Sequence, residues 1–223
     1  MIEIRLAGPG KNALGTKMIE SVLEQVNAAN GAPILFTGEG DAFSAGLNLR
    51  EVESLDPTGM DAFLNRLESF FRTVWLYPGP TAAAVNGHAI AGGCILAMCC
   101  DHAVSTSNPK ARIGLNEVAI GLRFPPALLR FVKHSVPSQH INEVVLGAGL
   151  HRPDDALRLG LVNAVSDDPV SHAKARLEAW SKHAPAAYSA TKRDLRNGIM
   201  VATDAESETF QKEVVPFWTS PEL

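Results

Sequence analysis

The chain has 223 residues, 46% apolar and 20% charged, an ordinary globular composition with enough length for one sizeable core. Its formal net charge of −4 argues against the basic field that nucleic-acid or anionic-membrane binding requires. Cys94, Cys99 and Cys100 share one apolar segment without metal-ligand spacing, so no metal site is expected, only reduced, buried thiols in a cytoplasmic setting.

In chain order, Ile2 to Leu6 alternates apolar and polar residues and predicts a short strand. The start lacks a basic segment followed by a long apolar run, so no signal peptide is expected. Gly8-Pro9-Gly10 predicts a turn, and Asn12 is placed to cap a helix with Leu14, Met18, Ile19, Val22, Leu23 and Val26 at helical spacing. Pro33 to Thr37 reads as a buried strand. Met60 to Leu76 predicts an amphipathic helix, stopped by Pro78-Gly79-Pro80. Thr81 to Val85 predicts a strand, Cys94 to Cys100 a buried helix, and His102 to Ser105 a third strand. The apolar stretch from Ala82 to Cys100 is interrupted by Asn86, Gly87, His88, Gly92 and Gly93, which excludes a membrane span there. Beyond Glu117 the pattern is helical at Pro126–His134, Ser138–Leu146, Pro153–Leu159, Pro169–Lys182, Ala186–Asn197 and Asp204–Val214, with one strand at Leu161–Val165. Strand–helix units followed by helices predict a single α/β domain with a helical C-terminal part.

Two glycine-bearing turns each follow a buried strand and precede a helix: Phe43-Ser44-Ala45-Gly46-Leu47-Asn48-Leu49 and Asn86 through Cys94. Turned towards each other, two such turns can hold a carbonyl oxygen between two backbone N–H groups. On spacing alone plain connections are the commoner reading, since most glycine turns hold no ligand. In Ile113-Gly114-Leu115-Asn116-Glu117-Val118, a carboxylate among apolar neighbours should have a raised pKa and suit a general base; a solvated glutamate is the alternative.

Together these segments resemble the crotonase superfamily of enoyl-CoA hydratases and isomerases. Phe43 to Leu49 is similar to its Phe-x-Ala-Gly-x-Asp-Leu motif, with Asn48 at the aspartate. Val85 to Cys94 is similar to its second oxyanion turn, and Cys100-Asp101 ends the next helix as in that family. Val118 to Leu122, the Leu146-Gly147 helix end and Ala156 to Val162 continue the likeness over nearly the whole chain. The resemblance implies an α/β crotonase-type spiral of repeated β-β-α units, with residues 1–166 as core and 167–223 as a helical trimerisation region. It implies an acyl-CoA thioester substrate, no separate cofactor, and a homotrimer or hexamer. It implies that the Leu47 and Gly92 N–H groups bind the thioester oxygen and that Glu117 is the catalytic base. Ser44, Ala45, Gly46, Asn48 and Leu49 would line the CoA and thioester path, joined by Gly93, Ile95, Leu115 and Asn116 around the substrate.

Hydratases of the family use two glutamates, and Ile95 stands where the first belongs. An isoleucine neither orients water nor transfers a proton. The resemblance therefore implies Δ3 to Δ2 isomerisation, as in fatty-acid β-oxidation, with Glu117 carrying one proton from C2 to C4. Asn108-Pro109-Lys110 and Phe124-Pro125-Pro126 are similar to the mitochondrial-type isomerases. Weak hydration, hydrolysis, decarboxylation and non-catalytic CoA binding are the alternatives. Glu143 is expected on an exposed helix face, His88 in a structural hydrogen bond, Asp101 bound to backbone, and Lys192 and Arg193 on a solvated helix face. Family members continue by about one helix past the segment matching Phe217 to Leu223, so a more open acyl pocket is expected, or one closed by another element.

Overall fold

The computed structural model describes residues 1–218, Phe217 through its backbone only. The part of the C-terminal expectation that falls on 219–223 lies outside the described residues. Strands β1 (Ile2–Leu6), β2 (Ile34–Gly38), β4 (Thr81–Val85), β6 (His102–Thr106) and β8 (Ala164–Ser166) form a parallel sheet in the order β1-β2-β4-β6-β8. Strands β3 (Ala42–Ser44), β5 (His88–Ile90) and β7 (Ile113–Gly114) form a second parallel sheet in that order. From β2 onward successive strands thus alternate between the sheets, and helices fill the returns to the larger one. This is the expected crotonase spiral, with a helical C-terminal part.

β2 and β4 are buried along their whole length, which is why they read as continuous apolar runs. Successive side chains leave opposite faces of a strand. Ile34, Phe36, Ala83 and Val85 enter the main core, while Leu35, Ala82 and Ala84 enter a smaller one. Ala173 and Leu177 of the helix Pro169–Trp180 close that second face.

The helix expected from Met60 begins earlier, at Pro57, because the Asp56 carboxylate accepts from Gly59 N–H. It buries Phe63, Leu64, Leu67, Phe70, Phe71, Val74 and Trp75 against the main core. The helix Thr16–Ala28 forms as expected, but Asn12 does not cap it. Asn12 instead donates to Glu39 O and Ala42 O, pinning the first turn to the second sheet. The Glu51 carboxylate takes the capping place, accepting from Thr16 N–H at 3.1 Å.

Further boundaries shift. The segment expected as one helix over Ser138–Leu146 is a 3₁₀ turn, Ser138–His140, followed by Ile141–Val145. The strand expected at Leu161–Val165 is β8, because Leu161 and Val162 are core loop residues and pairing starts at Val104↔Ala164. The helix expected at Ala186 starts at Pro185, a favoured first helical residue.

That helix, Pro185–Arg196, is fastened by a buried ionic cluster. Asp101 Oδ2 accepts from Lys192 Nζ at 2.9 Å, from Tyr188 OH at 2.9 Å and from Thr81 N–H at 2.7 Å. Asp101 Oδ1 pairs with Arg196 at 2.8 Å. Arg196 also donates to Trp75 O, and its guanidinium lies 3.8 Å from the Trp75 ring centroid. Lys192 is therefore buried, a correction to the solvated face expected for it; burial outweighs the pull of Asp101 and pushes its pKa down to about 8. Arg193 is exposed as expected. No described helix is long and apolar enough to cross a membrane.

Candidate functional site

Three adjacent parallel strands set the site. Because β3, β5 and β7 run the same way, the segments that leave their C-terminal ends emerge side by side. From β3 come Ala45 to Asn48, from β5 come Ala91 and Gly92, and from β7 come Leu115 to Glu117. β5 is central, so Gly92 lies between the other two.

Leu47 bridges to Leu14: Leu14 N–H donates to Gly46 O at 2.7 Å, and Asn48 N–H donates to Leu14 O at 3.1 Å. In extended chain, successive amides point to opposite sides, so the Leu47 N–H faces away from Leu14. Gly92 is the first residue of the helix Gly92–Cys99, and its N–H has no acceptor within that helix. A Cβ on Gly46 would sit 2.9 Å from Ile90 O and 3.5 Å from Gly92 N, so the turns meet only because residue 46 has none; its φ of 93° also favours glycine. Ala91 holds φ 48° and ψ −119°, a strained reversal between β5 and the helix, tied by its N–H to Gly114 O at 2.8 Å. Gly93 packs flat on the Ser44 carbonyl.

Glu117 immediately precedes the 3₁₀ turn Val118–Ile120, makes no side-chain capping hydrogen bond to it, and is 8% exposed. Its Oε2 is buried with no hydrogen-bond partner among the described residues. Burial pushes its pKa up to about 7, as a neutral-pH base requires. Its carbonyl accepts from Ile120 N–H at 3.2 Å and Leu122 N–H at 2.8 Å, which folds the chain back so that residues 122–125 form the next wall.

A cavity of about 140 Å³ opens beside Glu117, a size known to admit a ring of about six carbons. Of the residues expected at the site, Ala45, Leu47, Leu49, Gly92, Ile95, Asn116 and Glu117 line it. Ser44, Gly46, Asn48, Gly93 and Leu115 do not; they stand behind the lining. Ser44 accepts from Gly46 N–H at 3.3 Å, and Leu115 is fully buried. The far wall comes from Leu67, Phe71, Leu122, Phe124, Pro125, Leu128 and Trp218. The sequence showed Leu67 and Phe71 as the apolar side of a helix, but nothing in its spacing said that this side ends in a cavity. Trp218, near the end of the described residues, supplies part of the wall.

Glu143 is exposed and paired with Arg158 at 2.8 Å, as expected of a surface helix residue. His88 departs from expectation: its Nδ1 is buried with no hydrogen-bond partner among the described residues. The described residues hold no cluster of His, Cys, Asp and Glu fit for a metal ion.

In this spiral the Glu117 carboxylate and the two turns that carry Leu47 and Gly92 border one largely apolar cavity, the arrangement expected of a crotonase-type fold. The family model described as enoyl-CoA hydratase/isomerase matches residues 1–217, and the chain belongs to that family. Its chemistry is accordingly the family's acyl-CoA chemistry. The chain is 34% identical over 192 residues to a putative enoyl-CoA hydratase of Thermus thermophilus, covering 82% of this chain and 74% of that one. It is 29% identical over 178 residues to mitochondrial enoyl-CoA delta isomerase 1 of Mus musculus, covering 78% of this chain and 62% of that one. Its fold matches the crystal structure of human mitochondrial delta3-delta2-enoyl-CoA isomerase with a TM-score of 0.91, at 21% identity and covering 99% and 89% of the two chains.

Proposed function

We propose that this protein moves the double bond of a 3-enoyl-CoA into conjugation with the thioester. The observation that carries this reading is the pairing of Glu117 with Ile95 in one cavity: one carboxylate, and an isoleucine where hydration would need a second. The thioester oxygen lies between the Leu47 and Gly92 N–H groups. Glu117 removes a proton from C2, negative charge builds on that oxygen, and the fixed amides stabilise it without reorganising. The carboxylic acid so formed returns the proton at C4. Carbon and hydrogen are conserved and no water enters. The apolar walls keep water out and raise the proton affinity of Glu117 to match the task.

The test is incubation with a 3-enoyl-CoA and, separately, with a 2-enoyl-CoA, followed by product identification. Conversion of the first to the conjugated isomer is expected; a 3-hydroxyacyl-CoA, free acid or decarboxylated product as the main outcome would overturn the assignment. The reaction starts from ionised Glu117, so kcat/KM should rise with pH and level off above about 7. A pH profile falling across that range would remove Glu117 as the base.

We also propose a homotrimer. Exposed Leu146, Leu150, Leu157 and Leu195 offer apolar surface for subunits to cover. Sedimentation at micromolar concentration should give three chain masses, and a monomer alone would sink the idea. The free, buried thiols of Cys94, Cys99 and Cys100 fit a reducing compartment such as the cytoplasm.

A further inference from the structure

The cavity beside Glu117 is lined by apolar side chains except at Asn116, Glu117 itself and Arg123; Trp218, whose buried indole N–H has no partner among the described residues, adds one further polar atom. The first two are accounted for by the base and its neighbour. Arg123 is not. The fold-back at the Glu117 carbonyl, with Gly121 at φ 78°, returns the chain to the cavity at Leu122. From there the side chains alternate: Leu122 and Phe124 are buried, and Arg123 between them is exposed while still lining the cavity. Pro125 and Pro126 then start the helix Pro126–Ser135 and stiffen this wall. Arg123 is therefore an exposed, cationic residue that also borders a largely apolar cavity.

Arg123 makes no ion pair or side-chain hydrogen bond with any other described residue; Arg50, Arg72 and Arg152 are likewise unpaired, but of these only Arg123 lines the cavity. Nor does it serve the base: the Glu117 carboxyl is governed by burial, with no cation acting on it. An unpaired, planar five-donor cation at the edge of a cavity sized for a short chain suits a carboxylate on the far end of that chain.

We propose that Arg123 is a specificity residue that selects acyl-CoA substrates whose acyl chain ends in a carboxylate, that is, mono-CoA thioesters of short dicarboxylic acids. The inference rests on reading the cavity as the acyl site, and it concerns which acyl chains enter.

The experiment is calorimetric titration of the full chain with two saturated, unreactive ligands of equal length: hexanoyl-CoA and the mono-CoA thioester of hexanedioic acid. Glutaryl-CoA and the eight-carbon diacid thioester cover neighbouring lengths. At least one diacid thioester should bind the wild type roughly tenfold or more tightly than its neutral counterpart, as a charge-assisted hydrogen bond allows. The preference should shrink with added salt. In Arg123→Ala the affinity ratio should collapse to about one, and in Arg123→Glu it should invert. Equal weakening of both ligand classes with the ratio unchanged would assign Arg123 to a CoA phosphate and overturn the proposal. So would a wild-type ratio at or below one for every length. If hexanoyl-CoA binds and the diacids show no preference, only this inference fails. If no thioester binds at all, the acyl-site reading fails with it.

Discussion

Glu117→Gln is expected to lower isomerisation of a 3-enoyl-CoA by about 10²–10⁴-fold while leaving acyl-CoA affinity nearly unchanged. The amide keeps the size of the side chain but cannot take a proton, and proton transfer belongs to the transition state. A second effect has the opposite sign. The folded protein holds the Glu117 carboxyl at about 7 against an ordinary 4.5, so the folded state disfavours the charged form. Between those values the unfolded chain releases its proton first, and folding stability falls as pH rises. The full cost, about 3 kcal/mol, is present above about pH 7 and absent below about pH 4.5. Glutamine never ionises. Glu117→Gln should therefore melt up to roughly 10 °C higher than wild type at pH 8, and at about the same temperature at pH 4. Single-turnover kinetics and melts at both pH values check this. Full activity in the variant would show that another group carries the proton.

Asp101→Ala is expected to be the most destabilising single change outside the site. It leaves Lys192 and Arg196 buried without their shared carboxylate and removes the acceptor for Tyr188 and Thr81. Breaking a buried ion pair from one side costs about 3–5 kcal/mol. The melting temperature should fall by about 10 °C. Asp101 does not line the cavity, so kcat/KM measured well below the melting transition should hold. A melting temperature within a degree or two of wild type would mean the cluster carries no net stability.

The long elements were legible because their patterns are strong. β2 and β4 are unbroken apolar runs, and the helix Pro57–Trp75 repeats its apolar side over five turns. β3, β5 and β7 were not, because strands of two or three residues carry too few positions for a period and lie inside segments that read as turns. The same segments supplied the expected site residues through family likeness, so the residues were named before the sheet that aligns them. Lys192 was misread because its helix is otherwise polar and exposed, and its carboxylate partner lies 91 positions away. Arg123 gave no signal at all. An arginine between apolar residues is common, and only the fold-back at Glu117 O brings it to the cavity.

The Asp101 cluster also bears on how the chain matures during synthesis. At about 5–20 residues per second, Asp101 leaves the ribosome roughly 5–18 s before Lys192. Once Glu117 has followed Asp101 out, the strands that lead to Leu47, Gly92 and Glu117 are all made, yet the carboxylate at the end of the buried helix still has no counter-charge. A nascent chain halted before Pro185 should accordingly stay open at Thr81 and Asp101 to protease and to chaperones, and close when the last basic side chains arrive.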